Sequence, residues 1–236
     1  MIVDGRLAQI VVTATTWIIP IIFAVTFHEA AHGFVALRFG DDTALRAGRV
    51  TFNPIPHIDP IGTILLPVAM LVMSAGMGTG FFFGYAKPVP VNFGRLKPPR
   101  TGMVLVALAG PATNVLLAVA SALLFYGVAL VPAAGSEWLA RNLVNSLRFN
   151  AILCVFNLLP LPPLDGGRIL VGLLPRPLAM PLARLEPYGM IILMGLFVLS
   201  YVSARTAAGF DPLYWLIAVP TKVLLHLILL ITGQSG

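Results

Sequence analysis

Four stretches of this 236-residue chain, roughly 7–37, 102–131, 142–160 and 186–204, are apolar for long enough to cross a lipid bilayer, and 213–232 makes a fifth. A helix needs about 20 apolar residues to traverse a hydrocarbon core of ~30 Å. Only 10% of the residues are charged and 58% are hydrophobic, whereas a soluble domain carries about 25% charged residues. A surface this poor in charge has lipid as its solvent. The expected fold class is an all-α polytopic membrane protein, with five or six transmembrane helices in a single domain covering 1–236. The sequence pI of about 10.0 does not point to nucleic acid as a partner, because the basic residues sit in short loops between apolar runs, as cytoplasmic loops of membrane proteins do. The one cysteine, Cys154, lies inside an apolar run and reads as a packing residue. No cleavable signal peptide is evident, since the first run is too long for one.

The segment 61–85 is apolar but interrupted by Pro67, Gly76, Gly78, Gly80 and Gly84. Arg38, Arg46 and Arg49 precede it, and Lys87, Arg95, Lys97 and Arg100 follow it. A full crossing would put one basic cluster outside, against the positive-inside bias. A re-entrant hairpin keeps both clusters cytoplasmic, and irregular backbone is tolerated at depth when protein covers it. Re-entry is therefore favoured over a sixth span. The flanking pieces, 44–60 and 85–93, combine β-favouring residues such as Val50, Thr51 and Phe52 with prolines that forbid helix. They predict a small membrane-associated β element whose free edge could hold an extended peptide.

The first run contains His28-Glu29-Ala30-Ala31-His32. Side chains four apart share one helix face, so both imidazoles can reach a single ion. Glu29 projects beside that face, where it can take a proton from a metal-bound water. Chance produces this pattern about once in a thousand chains of this composition, which makes the match informative. An ionisable side chain at membrane depth costs at least ~2.5–3.5 kcal/mol and is functional by default. A catalytic zinc takes three protein ligands. Among His57, Asp59, Asp165, Asp211, Glu186 and His226, Asp165 stands out as the third. It follows Pro160, Pro162 and Pro163, which must break the helix, and it precedes Gly166 and Gly167, which permit close backbone approach.

H-E-x-x-H in a first span, Gly110-Pro111-x-x-Asn114 in a second and Asn157-x-x-Pro160-x-x-Pro163-x-Asp165-Gly-Gly after a third resemble the site-2 protease family of intramembrane zinc metalloproteases. The likeness extends over nearly the whole chain and is closest to short prokaryotic forms without PDZ or other regulatory domains. It implies one Zn2+ held by His28, His32 and Asp165, with Glu29 as catalytic base. It also implies regulated cleavage of a transmembrane protein substrate in a prokaryotic cell membrane, with the site towards the cytoplasm. The family pattern suggests that Asn114 contacts the substrate carbonyl or its oxyanion; by itself, an amide at depth can equally bond a neighbouring helix. Asn157 and Arg168 flank the Asp165 turn and can orient it. His57 can line the substrate path or serve structure alone, and His226 reads as packing. Two alternatives stand beside the protease: a zinc-binding membrane transporter and a non-catalytic membrane adaptor.

Overall fold

Between Arg6 and His28 there is no charged residue to interrupt the first apolar run, and it folds as one helix, α1 (Ile2–Arg38). The computed structural model describes residues 2–60, 62, 87–205 and 211–234. Pro20 lies inside α1 and has no N–H to give to the carbonyl of Thr16. Asn145 supplies the missing donor, its Nδ2 reaching the Thr16 carbonyl at 2.9 Å. A helix defect is thereby converted into an interhelical tie.

The helices that follow are α2 (Thr43–Arg46), α3 (Pro99–Phe125), α4 (Ala133–Asn157), α5 (Asp165–Leu173), α6 (Arg176–Ala183), α7 (Gly189–Arg205) and α8 (Val219–Ile231). Proline sets several of the starts: Pro99 opens α3, Pro132 precedes α4 and Pro175 precedes α6, positions where a missing N–H costs nothing. Among the described residues, four helical stretches are long and apolar enough to cross a membrane: Val11–Arg38, Pro99–Leu130, Arg176–Ser203 and Tyr214–Ile231. The expected span 142–160 differs from what forms there. Its helix, α4, begins at Ala133 and ends at Asn157, and it is not among the four, because Glu137, Arg141, Asn142, Asn145, Arg148 and Asn150 make it polar.

Helices α1, α3 and α4 pack against one another, and α5 lies on α3. The buried positions between them are small, including Ala24, Ala30, Ala107, Ala118, Ala122 and Ala151. Large apolar side chains such as Leu116, Leu124, Ile191 and Ile231 face outward. Lipid offers no hydrophobic drive for helices to associate, so close backbone approach and interhelical hydrogen bonds hold such a bundle.

The expected β element does not form among the described residues, where no strand occurs. Residues 50–52 bend, and Ile55–His57 is a single 3-10 turn. Pro54, Pro56, Pro88 and Pro90 carry no N–H, so a regular ladder cannot build across them. The remaining donors go elsewhere: Lys87 N–H to the His57 carbonyl (3.1 Å), Val89 N–H to Glu29 Oε2 (2.7 Å) and Asn92 N–H to Asp41 Oδ2 (2.7 Å). The two loop pieces are thus stapled beneath α1. Burial opposes ionisation of Asp41, but hydrogen bonds from Thr43 and Asn92 outweigh it and hold the carboxyl below its ordinary range. The segment 61–85, expected to re-enter, lies outside the described residues except for Gly62.

Candidate metal centre

His28 and His32 occupy one face of α1, and their Nε2 atoms stand 3.1 Å apart. Asp165, the first residue of α5, brings Oδ2 to 3.2 Å from His28 Nε2 and 3.4 Å from His32 Nε2. All three side chains are buried. Among the described residues they form a group of ligand atoms convergent enough to hold one metal ion.

Each imidazole is aimed by its other nitrogen. His32 Nδ1 lies 2.7 Å from the Val106 carbonyl, which can only accept, so Nδ1 carries the proton and Nε2 offers its lone pair. Pro111 disturbs the helix ladder at this turn of α3, beside the Val106 carbonyl that turns to His32. His28 Nδ1 lies 2.6 Å from Asn114 Oδ1, the same arrangement with an amide as acceptor. Two lone pairs and one carboxylate oxygen then converge on the same point. Asp165 Oδ2 is buried there with no hydrogen-bond partner, a costly state unless positive charge sits between the three groups. The donor set of two imidazoles and one carboxylate suits zinc.

Two glycines make the convergence possible. A Cβ on Gly110 would stand 2.5 Å from His28 Cε1 and 2.6 Å from the Nε2 atoms of His28 and His32. Only a residue without a side chain lets α3 pass so close. A Cβ on Gly166 would stand 2.2 Å from the Leu158 carbonyl oxygen, so the glycine after Asp165 lets α5 start directly beneath the end of α4.

Glu29 sits beside the three converging side chains, half-buried, with Oε2 accepting the Val89 N–H. Asn114 is fully buried and its amide is committed, Oδ1 to His28 and Nδ2 to Asn150 Oδ1 at 2.9 Å and the Ala24 carbonyl at 3.4 Å. No part of it is free for a substrate carbonyl. Asn157 Nδ2 returns to the Leu153 carbonyl of its own helix at 3.0 Å. Arg168 reaches Glu186 at 3.3 Å and stacks over the Phe93 ring, tying α5 to the loop before α3. His57 is buried and holds the Thr51 carbonyl through Nε2 at 3.0 Å; it does not belong to the convergent group. Sequence reasoning missed Asn150, Val89 and the steric part played by Gly110. The first had a signal in Asn142, Ser146 and Asn150, polar residues four apart on one helix face.

Bacterial proteins similar to the chain include the following. The chain is 43% identical over 188 residues, 77% of this chain and 79% of the relative, to "Putative zinc metalloprotease YwhC" of Bacillus subtilis. It is 30% identical over 197 residues, 82% of this chain and 70% of the relative, to "Putative zinc metalloprotease Rip2" of Mycolicibacterium smegmatis. A Rip2 of Mycobacterium tuberculosis is 32% identical over 195 residues, 80% of this chain and 68% of the relative. No family model matches the chain, and no solved structure does.

Proposed function

Because this chain belongs to the site-2 protease family of zinc metalloproteases, we propose that it hydrolyses peptide bonds of transmembrane or membrane-associated proteins at a site below the headgroups. The observation that carries this reading is the convergence of His28, His32 and Asp165 on one buried point, with the Glu29 carboxylate beside it. Those three side chains would hold one ion per chain. Zinc, when bound, supplies Lewis acidity towards the scissile carbonyl and makes a water molecule acidic enough to lose its proton near neutral pH.

The chain's own residues do the rest. Glu29 takes the proton from the attacking water as the new C–O bond forms, and delivers it to the amide nitrogen as the C–N bond breaks. The Val89 N–H holds Oε2 and leaves Oε1 to meet the water. Asn114 and the Val106 carbonyl keep the two imidazoles aimed, and this orienting role replaces the substrate contact that the family pattern suggests for Asn114. Asn157 and His57 support their own turns. A substrate helix hides its peptide bonds in its own hydrogen bonds and must unwind before attack. The stretch 87–92, which contains Pro88 and Pro90 and touches Glu29 through the Val89 N–H, gives the unwound segment a surface to lie along.

In the membrane, α4 crosses together with the four apolar stretches, its Asn145, Ser146 and Asn150 turned to α1 and α3, and the basic loops gather on one side. The positive-inside bias puts that side, and the metal site, towards the cytoplasm. The test is cleavage of a transmembrane substrate by the Glu29→Gln protein. Its rate should fall by about 10²–10⁴-fold with zinc content unchanged; full activity would discard the role given to Glu29.

A further inference from the structure

We propose that Asn150 is a positioning residue of the metal centre, and that it acts through Asn114 to decide which nitrogen of His28 faces the ion. The proposal rests on the reading of His28 as a ligand and names what holds it in the right tautomer.

A neutral imidazole binds a metal only through the nitrogen that lacks the proton, and the hydrogen bond at the other nitrogen decides which one that is. For His32 a backbone carbonyl makes the choice. For His28 the neighbour is the side-chain amide of Asn114, and an amide can turn over, presenting oxygen or NH2 with almost the same shape. An overturned Asn114 would donate to His28 Nδ1, drive the proton to Nε2 and close the site to metal. Asn114 Nδ2 also lies 3.4 Å from the Ala24 carbonyl, too long to fix its sense alone.

The fixing group lies two residues further along a chain of hydrogen bonds. Asn150 Nδ2 donates to the Ser146 backbone carbonyl at 2.9 Å, and that carbonyl can only accept. Asn150 therefore has to show Oδ1 to Asn114, where it accepts from Nδ2 at 2.9 Å. Asn114 has to turn Oδ1 to His28, where it accepts the Nδ1 proton at 2.6 Å. His28 is left with a bare Nε2 towards Asp165. A fixed backbone group on α4 thus sets the polarity of the chain from α4 through α3 to α1. Asn150 and Asn114 are both almost completely buried, so water cannot rescue a reversed bond. The Ser146 hydroxyl, 3.3 Å from Asn150 Nδ2 and 2.8 Å from Ser121 Oγ, can rotate and sets nothing.

The experiment titrates the purified, metal-stripped protein in detergent with zinc against a chelator of known affinity, needing no substrate. Asn150→Leu, which fills the space without the acceptor, should lower zinc affinity about 10–100-fold. Ser146→Ala, which retains the backbone carbonyl, should stay within about threefold of wild type. In an Asn114→Ala background, Asn150→Leu should cost nothing further. Nitrogen-15 NMR of the histidines in the metal-free wild-type protein should find His28 protonated at Nδ1, a readout independent of whether any variant folds. The proposal is overturned by wild-type affinity in Asn150→Leu, by an undiminished loss in the Asn114→Ala background, or by His28 protonated at Nε2. A wild-type protein that binds zinc yet cleaves no transmembrane substrate would instead sink the protease reading and leave the tautomer result standing.

Discussion

Helices α1, α3 and α4 bury asparagines, serines and histidines against one another, while α7 and α8 turn Ile191, Val198, Leu227 and Ile231 outward and bury few residues. Both regions have lipid as their solvent, but the first buries many more polar groups than the second, which buries Ser200 and Thr221. The difference lies in partners. In the first region the Thr16 carbonyl meets Asn145, Asn114 meets Asn150, and Ser121 meets Ser146. Each such interhelical bond contributes on the order of 0.6 kcal/mol in a membrane, so their value is direction more than strength. Polar side chains are affordable at depth where another helix completes them, and the candidate metal ligands are built into that completed set.

A methyl group tests the contrast most sharply. Gly110→Ala puts a Cβ against both imidazoles, and helix α3 has to shift for the variant to pack. Zinc affinity should fall by about 100-fold or more, on the scale of losing an orienting partner, as read by chelator competition. Wild-type affinity would break the comparison at its tightest contact. The foot of α1 gives a smaller effect. The Asp41 carboxyl titrates lower in the folded protein than in the unfolded chain. Its stabilising contribution is therefore complete above the unfolded value of about 3.9 and is lost as pH falls through the folded value. Thermal melts should show Asp41→Asn less stable than wild type at pH 7, with the gap closing below about pH 4; a gap that does not vary with pH would contradict the assignment. Least of all is expected from Gly195→Ala in α7, where nothing lies within 4 Å of the new methyl. It should leave zinc binding unchanged and alter stability by no more than about 1 kcal/mol, in the favourable direction.

The sequence revealed the parts of this arrangement that are local. His28 and His32 follow from helical spacing, and Asp165 from the prolines and glycines around it. The run 7–37 closely matches α1, and 213–232 closely matches the stretch Tyr214–Ile231. Hydropathy reports solvent rather than helix ends, which is why α4 was expected to begin at 142 although Ala133 to Arg141 is helical. The β element failed for a related reason. Val50, Thr51 and Phe52 have strand propensity, but the donors across from them belong to a proline-rich piece that spends its N–H groups on His57, Glu29 and Asp41. The roles of Asn150 and Gly110 depend on which helix lies opposite, and spacing along one chain does not contain that.

The central claim is that two imidazoles of α1 and the carboxylate opening α5 hold one zinc ion. Zinc content and X-ray absorption of the purified wild-type and Asp165→Ala proteins test it most directly. Wild type should hold one zinc with two histidine nitrogens at about 2.0–2.1 Å and a carboxylate oxygen at about 2.0–2.2 Å, and Asp165→Ala should lose the oxygen and most of the metal. An Asp165→Ala protein that keeps a full zinc complement with an unchanged absorption spectrum would contradict the account.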